Sequence, residues 1–564
     1  IPLRHGETDT ASFMAHGYDP DLAVWSPFHG AAYAVLLSVT RLVSMGADWR
    51  KAYLTLQEYF EKLTDASSWG KPAAALLGAY YMQKVLGLGA IGGKDSMSGT
   101  FENLHVPPTL VSFAIAPGKA SEAVSQEWKE SGSTLVLFGQ PKDANDMPDM
   151  DIFKAHADFL YREVQAGHVR SMKAVGHGGL AVAAAEAAFG NRIGAVFNEA
   201  IPKSRYFGNF YGAILVETDE ASAQEWAKQP CVRIIGVTGG EDMKLFGETV
   251  SLDELLKAYE APLNDIFPIQ AESSTREIPG IPYFTPAVRS FARVQAARPK
   301  VFIPVVPGNN CEVDSARAFE RAGADTDIFI VRNRDQAELA ESVDEMVRRI
   351  NEAQIVMIPG GFSAGDEPDG SGKFIAALFR NRKLEEAMEA LLHRRDGLVL
   401  GICNGFQALI KLGLVPYGEF KPLTGDAPTL TFNTIGRHLS RYVTTKVVSV
   451  KSPWLALTKP GDLHSIAISH GEGRFIASPE QIRAWAANGQ IATQYTDELG
   501  HASYDSTFNP NESVWAVEGI TSPDGRVLGK MGHSERRGDN IAKNISGEKY
   551  QPLFAAGVRY FTGK

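Results

Sequence analysis

Residues 397–410 read Gly-Leu-Val-Leu-Gly-Ile-Cys-Asn-Gly-Phe-Gln-Ala-Leu-Ile. The apolar run before Cys403 predicts a buried strand, and Asn404-Gly405 predicts a turn from that strand into a helix. This is the geometry of a nucleophile elbow, with cysteine in place of serine. We therefore expect Cys403 at the carboxyl end of a central strand in an α/β sheet.

This strand is one of four short apolar runs that are separated by segments with helical periodicity. The four runs are Val301–Val306, Asp327–Val331, Ile355–Pro359 and Leu398–Ile402. This alternation predicts a doubly wound, mostly parallel sheet, that is, an α/β fold.

The earlier part of the chain has a different pattern, which indicates an α+β fold. Short Gly-rich turns separate helical stretches such as Pro72–Gly87, and later strand-like runs accompany an Ala-rich helix at Leu180–Phe189. We expect four segments, with these bounds: 1–105 an N-terminal subdomain whose start is missing, 106–262 a second subdomain, 263–298 a Pro-rich linker, and 299–564 the α/β domain.

Bulk composition excludes several classes of protein. A net charge of -10 without a Lys/Arg block argues against nucleic-acid binding, and no apolar run is long enough to cross a membrane. Three cysteines (Cys231, Cys311, Cys403) form neither a disulfide framework nor a CxxC metal site, which favours a reduced, cytoplasmic protein. The first residues, Ile1–His5, indicate the start of a fragment.

Cys403 is the candidate nucleophile. A sulfur at a helix N-terminus is expected to favour the thiolate, whereas a structural cysteine at a strand end is the plain alternative. Attack on a carboxamide also needs donors for the oxyanion. The turn Ile358-Pro-Gly-Gly-Phe-Ser363 makes the backbone N–H groups of Gly361 and Asn404 the candidates.

Two segments could supply the base. His470-Gly-Glu472 and His533-Ser-Glu535 each place a carboxylate two residues after an imidazole. Spacing alone does not choose between them.

A family resemblance favours the segment with His533. The stretch 300–564 resembles a class I glutamine amidotransferase, in which a His-Pro-Glu-Arg-like segment near the C-terminus carries the base. Gly532-His-Ser-Glu-Arg536 matches it, with Ser534 in the Pro position. The resemblance implies that Cys403, His533 and Glu535 form the catalytic triad.

The more particular resemblance is to the phosphoribosylformylglycinamidine synthase family, in its large single-chain form. It is carried by four segments in the family's order: 308–312 (GNNCE), 359–366 (PGGFSAGD), 401–407 (GICNGFQ) and 470–475 (HGEGRF). It implies that Gln407, His470 and Glu472 belong to the glutamine pocket or an interdomain loop, and that Cys311 is structural.

The same resemblance covers residues 1–262, which look like the second of two halves related to aminoimidazole ribonucleotide synthetase. Gly92-Gly-Lys-Asp-Ser-Met-Ser98 resembles a nucleotide- and Mg²⁺-binding segment. It implies nucleotide binding by Lys94, Asp95, Ser96 and Ser98, with Asp95 on the metal. We interpret the segment as a Gly-rich turn that offers a phosphate a cation, a metal-bridging carboxylate and a hydroxyl.

This half departs from the catalytic pattern. The family's Asp-x-Ser-Asp-Gly-Gly-like turn reads Lys173-Ala-Val-Gly-His-Gly-Gly179, and Leu37 and Arg41 stand where metal-binding Glu and Asn are expected. An acid-poor site holds Mg²⁺ ions weakly. We expect this half to be non-catalytic and to hold at most a structural ADP.

The function implied is the ATP-dependent conversion of formylglycinamide ribonucleotide to its amidine in purine biosynthesis, with glutamine as nitrogen source. The expected partners are glutamine, Mg²⁺, and an N-terminal half of the same enzyme that supplies most of the site for ATP and the ribonucleotide. An internal ammonia passage through 263–298 and the second half is a further hypothesis. The alternatives are a stand-alone glutaminase, a cysteine hydrolase or peptidase of the same fold, and a non-catalytic scaffold half.

Overall fold

The chain was analysed as a computed structural model, which describes residues 8–198, 201–274, 276–287, 291–366, 372–538, 541–542 and 544–563. The expected fragment start, Ile1–His5, lies outside these residues. The fold divides into two compact units, Ile1–Leu263 and Asn264–Lys564. Within the described ranges, no helix combines the length and the apolar character that crossing a bilayer requires.

The first unit is α+β. Its strands are β1 Thr10–Gly17, β2 Tyr53–Tyr59, β3 Ala90–Ser96, β4 Thr100–Phe101, β5 Leu104–His105, β6 Thr109–Lys119, β7 Thr134–Phe138, β8 Ser171–Ala174, β9 Ala195–Phe197, β10 Ile214–Thr218, β11 Val232–Thr238, β12 Asp242–Leu245 and β13 Glu248–Ser251. Its helices are α1 Pro20–Trp25, α2 Pro27–Ser44, α3 Ala66–Leu86, α4 Met150–Gln165, α5 Gly179–Phe189, α6 Lys203–Phe207, α7 Glu220–Trp226 and α8 Leu252–Asn264.

Two sheets organise this unit. The first has the order β1-β6-β2-β3, and the second has the order β13-β12-β9-β11-β7-β10-β8. Helix α2 is buried along most of its length against the first sheet, because its apolar and small residues leave almost no polar face.

The structure revises two local predictions for this unit. The predicted helical stretch Pro72–Gly87 is confirmed as part of α3, but this helix begins earlier, at Ala66, because Asp65 and Ser68 form a capping box. The interpretation of Gly92–Ser98 as a Gly-rich turn was wrong, because its residues up to Ser96 belong to the edge strand β3, which pairs in parallel with β2 from Leu54 to Tyr59.

The second unit is α/β. Its strands are β14 Lys300–Val305, β15 Asp325–Ile330, β16 Ile355–Ile358, β17 Leu398–Ile402, β18 Thr429–Thr431, β19 Leu439–Val447, β20 Leu463–His470, β21 Arg474–Ile476, β22 Ile491–Thr496, β23 Val517–Thr521 and β24 Val527–Lys530. Its helices are α9 Glu312–Arg321, α10 Gln336–Glu352, α11 Lys373–Phe379, α12 Arg382–Glu389, α13 Asn404–Leu412, α14 Leu414–Tyr417, α15 Pro479–Ala487 and α16 Leu553–Thr562.

One nine-stranded sheet runs through this unit, in the order β15-β14-β16-β17-β24-β23-β22-β19-β20. The strands from β15 to β24 pair in parallel, whereas those from β24 to β20 pair antiparallel. The predicted α/β doubly wound sheet is confirmed for the parallel part. Strands β16, β17 and β24 are buried on every residue, as expected for a sheet covered on both faces.

Candidate active site

Cys403 lies in a sharp turn between β17 and α13. Its φ of 52° and ψ of -106° are unusual for a residue with a side chain. The flanking glycines allow the turn, since a Cβ at Gly401 would lie 2.7 Å from the Gly405 carbonyl oxygen, and one at Gly405 would lie 2.0 Å from that of Ile358. The elbow is therefore a close backbone packing that larger residues would break.

The Cys403 thiol is buried and neutral. Burial raises the pKa of Cys403 well above its usual value, and the nearby Cys311 and Glu535 add to the shift. The backbone N–H of Asn404 faces the sulfur and acts in the opposite direction, as a helix N-terminus should. This direction argues against the expected resting thiolate, because desolvation outweighs the helix N-terminus. The thiol lies 3.6 Å from the Ser469 carbonyl oxygen.

His533 and Glu535 form a buried pair. The Nδ1 atom of His533 lies 2.6 Å from Oε1 of Glu535, and both side chains are almost fully inaccessible. Burial opposes ionisation of Glu535, but His533 and hydrogen bonds outweigh it, so the pKa of Glu535 lies below its usual value. Because the ionised carboxylate of Glu535 can only accept a hydrogen bond, Nδ1 of His533 carries the proton. Nε2, which has no hydrogen-bond partner among the described residues, is then left as the acceptor.

Adjacent parallel strands bring the nucleophile and this pair to the same edge of the sheet. β17 ends before Cys403 and pairs in parallel with β24, which ends three residues before His533. The Cys403 backbone N–H donates to the Lys530 carbonyl over 2.9 Å. Carboxyl ends of neighbouring parallel strands are a common place for ligand sites in α/β proteins.

The candidate oxyanion donors lie on neighbouring turns. Gly361 has a φ of 142°, and a Cβ there would lie 2.5 Å from the Asn309 Cα. The Ser363 N–H donates to Asn404 Oδ1 over 3.3 Å, which ties the turn after β16 to the elbow. This arrangement keeps the Gly361 turn free of side chains beside Asn404.

Gln407 contacts the main chain of Glu472, and His470 is buried two residues before Glu472. The Gln407 amide donates to the Glu472 carbonyl over 2.6 Å and accepts from Asn404 Nδ2 over 2.9 Å. Burial, with a smaller contribution from His533, lowers the pKa of His470 to about 3, so this imidazole is neutral. The choice of His533 as base over His470 agrees with this geometry, because His533 has the carboxylate partner.

Cys311 is a residue near the pair whose position sequence reasoning did not indicate. Its Sγ lies 3.9 Å from His533 Nδ1 and accepts from Arg536 over 3.1 Å. Burial raises the pKa of Cys311 to about 11, so this thiol is also neutral. The available signals were the segment 308–312 (GNNCE), in which it lies, and its place after β14, which pairs with β16 in the sheet.

Within the part of the chain that the structure describes, two sets of side chains could hold a cation. Donor atoms of Cys311, His533 and Glu535 lie within 4.8 Å of one another, and so do those of Asp19, Asp21 and His177. The first set suits a soft metal and not Mg²⁺, which prefers oxygen ligands. The second offers two carboxylates, but Asp19 already accepts from Leu22 N–H and from Tyr211.

The predicted nucleotide residues lie on or just after the exposed edge strand β3. Lys94 Nζ lies 5.4 Å from the centre of the Tyr59 ring, and Ser96 Oγ lies 3.4 Å from Ser98 Oγ. Asp95 pairs with Glu58 across the strands, and burial together with Asp95 raises the pKa of Glu58. Asp95 is in neither cation set of the described residues. Its assignment to a metal remains a prediction.

Comparisons with known proteins identify the family of the second unit. Residues 298–561 match the family described as CobB/CobQ-like glutamine amidotransferase domain, and residues 120–245 match the AIR synthase related protein, C-terminal domain. Phosphoribosylformylglycinamidine synthase subunit PurQ of Methanococcus maripaludis is 33% identical over 244 residues, which are 42% of this chain and 83% of that protein. The chain belongs to the PurQ family of glutamine amidotransferases.

A second PurQ relative and a solved structure were also compared with this chain. PurQ of Symbiobacterium thermophilum is 32% identical over 262 residues, 46% of this chain and 97% of that protein. The structure of PurLQS from Thermotoga maritima aligns with 47% of this chain and 99% of its own, at 24% identity and a TM-score of 0.34. The two family matches and the PurQ relatives confirm the resemblance read from the sequence, including a synthetase-related domain before the amidotransferase domain.

Proposed function

We propose that this chain hydrolyses glutamine at Cys403 and supplies the ammonia for the ATP-dependent conversion of formylglycinamide ribonucleotide to formylglycinamidine ribonucleotide. The observation that carries the proposal is the meeting of three elements at one sheet edge. These are the Cys403 elbow, the buried His533–Glu535 pair and the Gly361 turn. A neutral thiol beside an imidazole with a free acceptor nitrogen is suited to nucleophilic catalysis.

The chemistry follows from the protonation states. His533 Nε2 takes the proton of the Cys403 thiol as the sulfur attacks the carboxamide carbon, and Glu535 stabilises the resulting imidazolium. The N–H groups of Gly361 and Asn404 donate to the oxyanion. His533 then protonates the departing ammonia, and next removes a proton from the water that hydrolyses the glutamyl thioester. Glutamate leaves and the thiol is restored.

A neutral resting thiol has a chemical consequence. We infer that the proton leaves the sulfur as it attacks the substrate carbonyl, and not before glutamine binds. The Gln407 amide donates to the Glu472 carbonyl, and we assign Gln407, His470 and Glu472 to the glutamine pocket or to an interdomain loop.

The remaining assignments concern the first unit. We propose that residues 1–105 and 106–262 are the two subdomains of a non-catalytic synthetase half, with 263–298 as linker and 299–564 as the amidotransferase domain. Lys94, Asp95, Ser96 and Ser98 would hold ATP or a structural ADP, with Mg²⁺ at Asp95. An N-terminal half of the enzyme would supply most of the site for ATP and the ribonucleotide, with ammonia passing internally. Three cysteines without disulfides support a cytoplasmic location.

A glutaminase assay tests the proposal. Glutamate release from glutamine is measured for the wild type, Cys403→Ala and Cys311→Ala. We expect loss of activity in Cys403→Ala and retention of at least part of it in Cys311→Ala. Hydrolysis unchanged in Cys403→Ala would leave a scaffold role, and cleavage of peptides in preference to glutamine would indicate a peptidase.

A further inference from the structure

Two buried charged side chains hold the residue before His533. The Gly532 N–H donates to Glu518 Oε1 over 2.7 Å, and the Gly532 carbonyl accepts from Lys530 Nζ over 2.7 Å. Lys530 and Glu518 are themselves paired at 3.1 Å, with 1% and 0% of their side chains exposed. A Cβ at Gly532 would lie 2.9 Å from Glu518 Oε1, so no larger residue fits between them.

The residue after His533 is held by the same lysine. Lys530 Nζ donates to Ser534 Oγ over 3.0 Å, and Ser534 Oγ donates to Gln551 Oε1 over 2.7 Å. We call Lys530, Glu518, Ser534 and Gln551 the Lys530 network. It fixes the backbone on both sides of the imidazole, while the Thr493 hydroxyl bonds the second oxygen of Glu518.

The main chain of Lys530 also reaches the nucleophile. Its carbonyl accepts the Cys403 N–H at 2.9 Å, so one residue contacts both the elbow and the segment that carries His533. The register of β23 and β24, in which Gly519 faces Lys530, places Glu518 beside it.

A buried ion pair is poor evidence for stability, since desolvation of two charges offsets much of their attraction. The segment 532–536 contains no proline, whereas the amidotransferase segment that it resembles has proline at the position of Ser534. A ring that fixes φ is therefore replaced here by side-chain hydrogen bonds.

We propose that the Lys530 network is a positioning device for His533, which fixes the imidazole against Glu535 and towards Cys403. This inference rests on the proposed role of His533 as base. Lys530, Glu518, Ser534 and Gln551 are positioning residues and do not touch the substrate. Loss of the network displaces the imidazole, and a displacement of about 1 Å in an active site can reduce the rate about 100-fold.

The test compares five variants by kcat and KM for glutamine hydrolysis and by thermal midpoint. Lys530→Met and Glu518→Gln each leave one buried partner alone, and we expect kcat to fall about 10- to 100-fold with KM within about twofold. The double variant Lys530→Met/Glu518→Gln removes both charges. Its thermal midpoint should recover, because no charge is left unpaired. Its kcat should stay low, because the Gly532 carbonyl and the Ser534 hydroxyl have lost the donor that Lys530 supplied.

Ser534→Ala is the mild variant, which folds even if the charge variants do not, and it should lower kcat about 3- to 10-fold at nearly wild-type thermal midpoint. The control is Asp327→Asn, which breaks the half-buried ion pair between Asp327 on β15 and Arg349 on α10. It should lower the midpoint without changing kcat.

Wild-type kcat in the double variant or in Ser534→Ala would overturn the inference, and so would a kcat that falls with the midpoint in the control as well. Full hydrolysis by Cys403→Ala or His533→Ala would instead overturn the proposed function, which keeps the two failures distinct.

Discussion

The Nδ1 atom of His533 lies 2.6 Å from Oε1 of Glu535, and neither side chain reaches solvent. The pair fixes which imidazole nitrogen carries the proton before substrate arrives. It also fixes the ring plane, because Nδ1 can meet the carboxylate in only one orientation. The role of His533 as the base depends on this contact more than on any other.

Glu535→Gln should therefore lower kcat about 100- to 10,000-fold, the range of a general-base contribution. An amide can donate a hydrogen bond to Nδ1, which favours the tautomer with the proton on Nε2. An amide also cannot stabilise the imidazolium. Glu472→Gln is the matched variant from the other His-x-Glu pair. It should change KM for glutamine more than kcat. Steady-state kinetics of both variants checks this, and the reverse pattern would make His470 and Glu472 the catalytic pair.

Gly361→Ala should lower kcat about 100- to 1,000-fold, the cost of one oxyanion donor, because its Cβ would lie 2.5 Å from the Asn309 Cα and would shift the turn. Gly365→Ala is the matched control in the same turn. It has φ of 75° but nothing within 4 Å of the added Cβ. Its kcat should stay near that of the wild type, and an equal loss in both variants would argue that backbone strain alone is responsible.

His470 should make the protein sensitive to acid. Burial lowers its pKa to about 3 from 6.5, so the unfolded chain binds a proton below pH 6.5 that the folded chain does not. Stability is thus lost as pH falls from 6.5 towards 3, by about 1.4 kcal/mol per pH unit.

His470→Gln removes this titration. Urea unfolding at pH 7 and pH 5 should show a free energy of unfolding that decreases about 2 kcal/mol less in the variant than in the wild type. The same decrease in both proteins would show that His470 is not a buried neutral imidazole.

The parallel half of the second sheet could be predicted because its strands are short, continuous apolar runs. Leu398–Ile402 matches the predicted strand at both ends. The four antiparallel strands that extend the sheet were not predicted, since β19 and β20 alternate between buried and half-exposed residues and are interrupted by polar ones.

The site residues that lie close together in the sequence, or directly after a predicted strand, could be predicted. Cys403 follows its strand directly, and Glu535 follows His533 by two residues. Glu518 and Lys530 were not found, because a charged residue at the end of an apolar strand usually reaches solvent. Only the pairing of β23 with β24 brings their side chains together. The neutral state of Cys403 was missed because burial cannot be read from one motif.

The central claim is that Cys403 is the nucleophile for glutamine. An electrophilic diazo-ketone analogue of glutamine, followed by peptide mass spectrometry, tests it on all three cysteines at once. We expect adduct on Cys403 and none on Cys231 or Cys311, with labelling prevented by glutamine and slowed in His533→Ala. Adduct on Cys311 in preference to Cys403, or equal labelling of all three, would contradict the account.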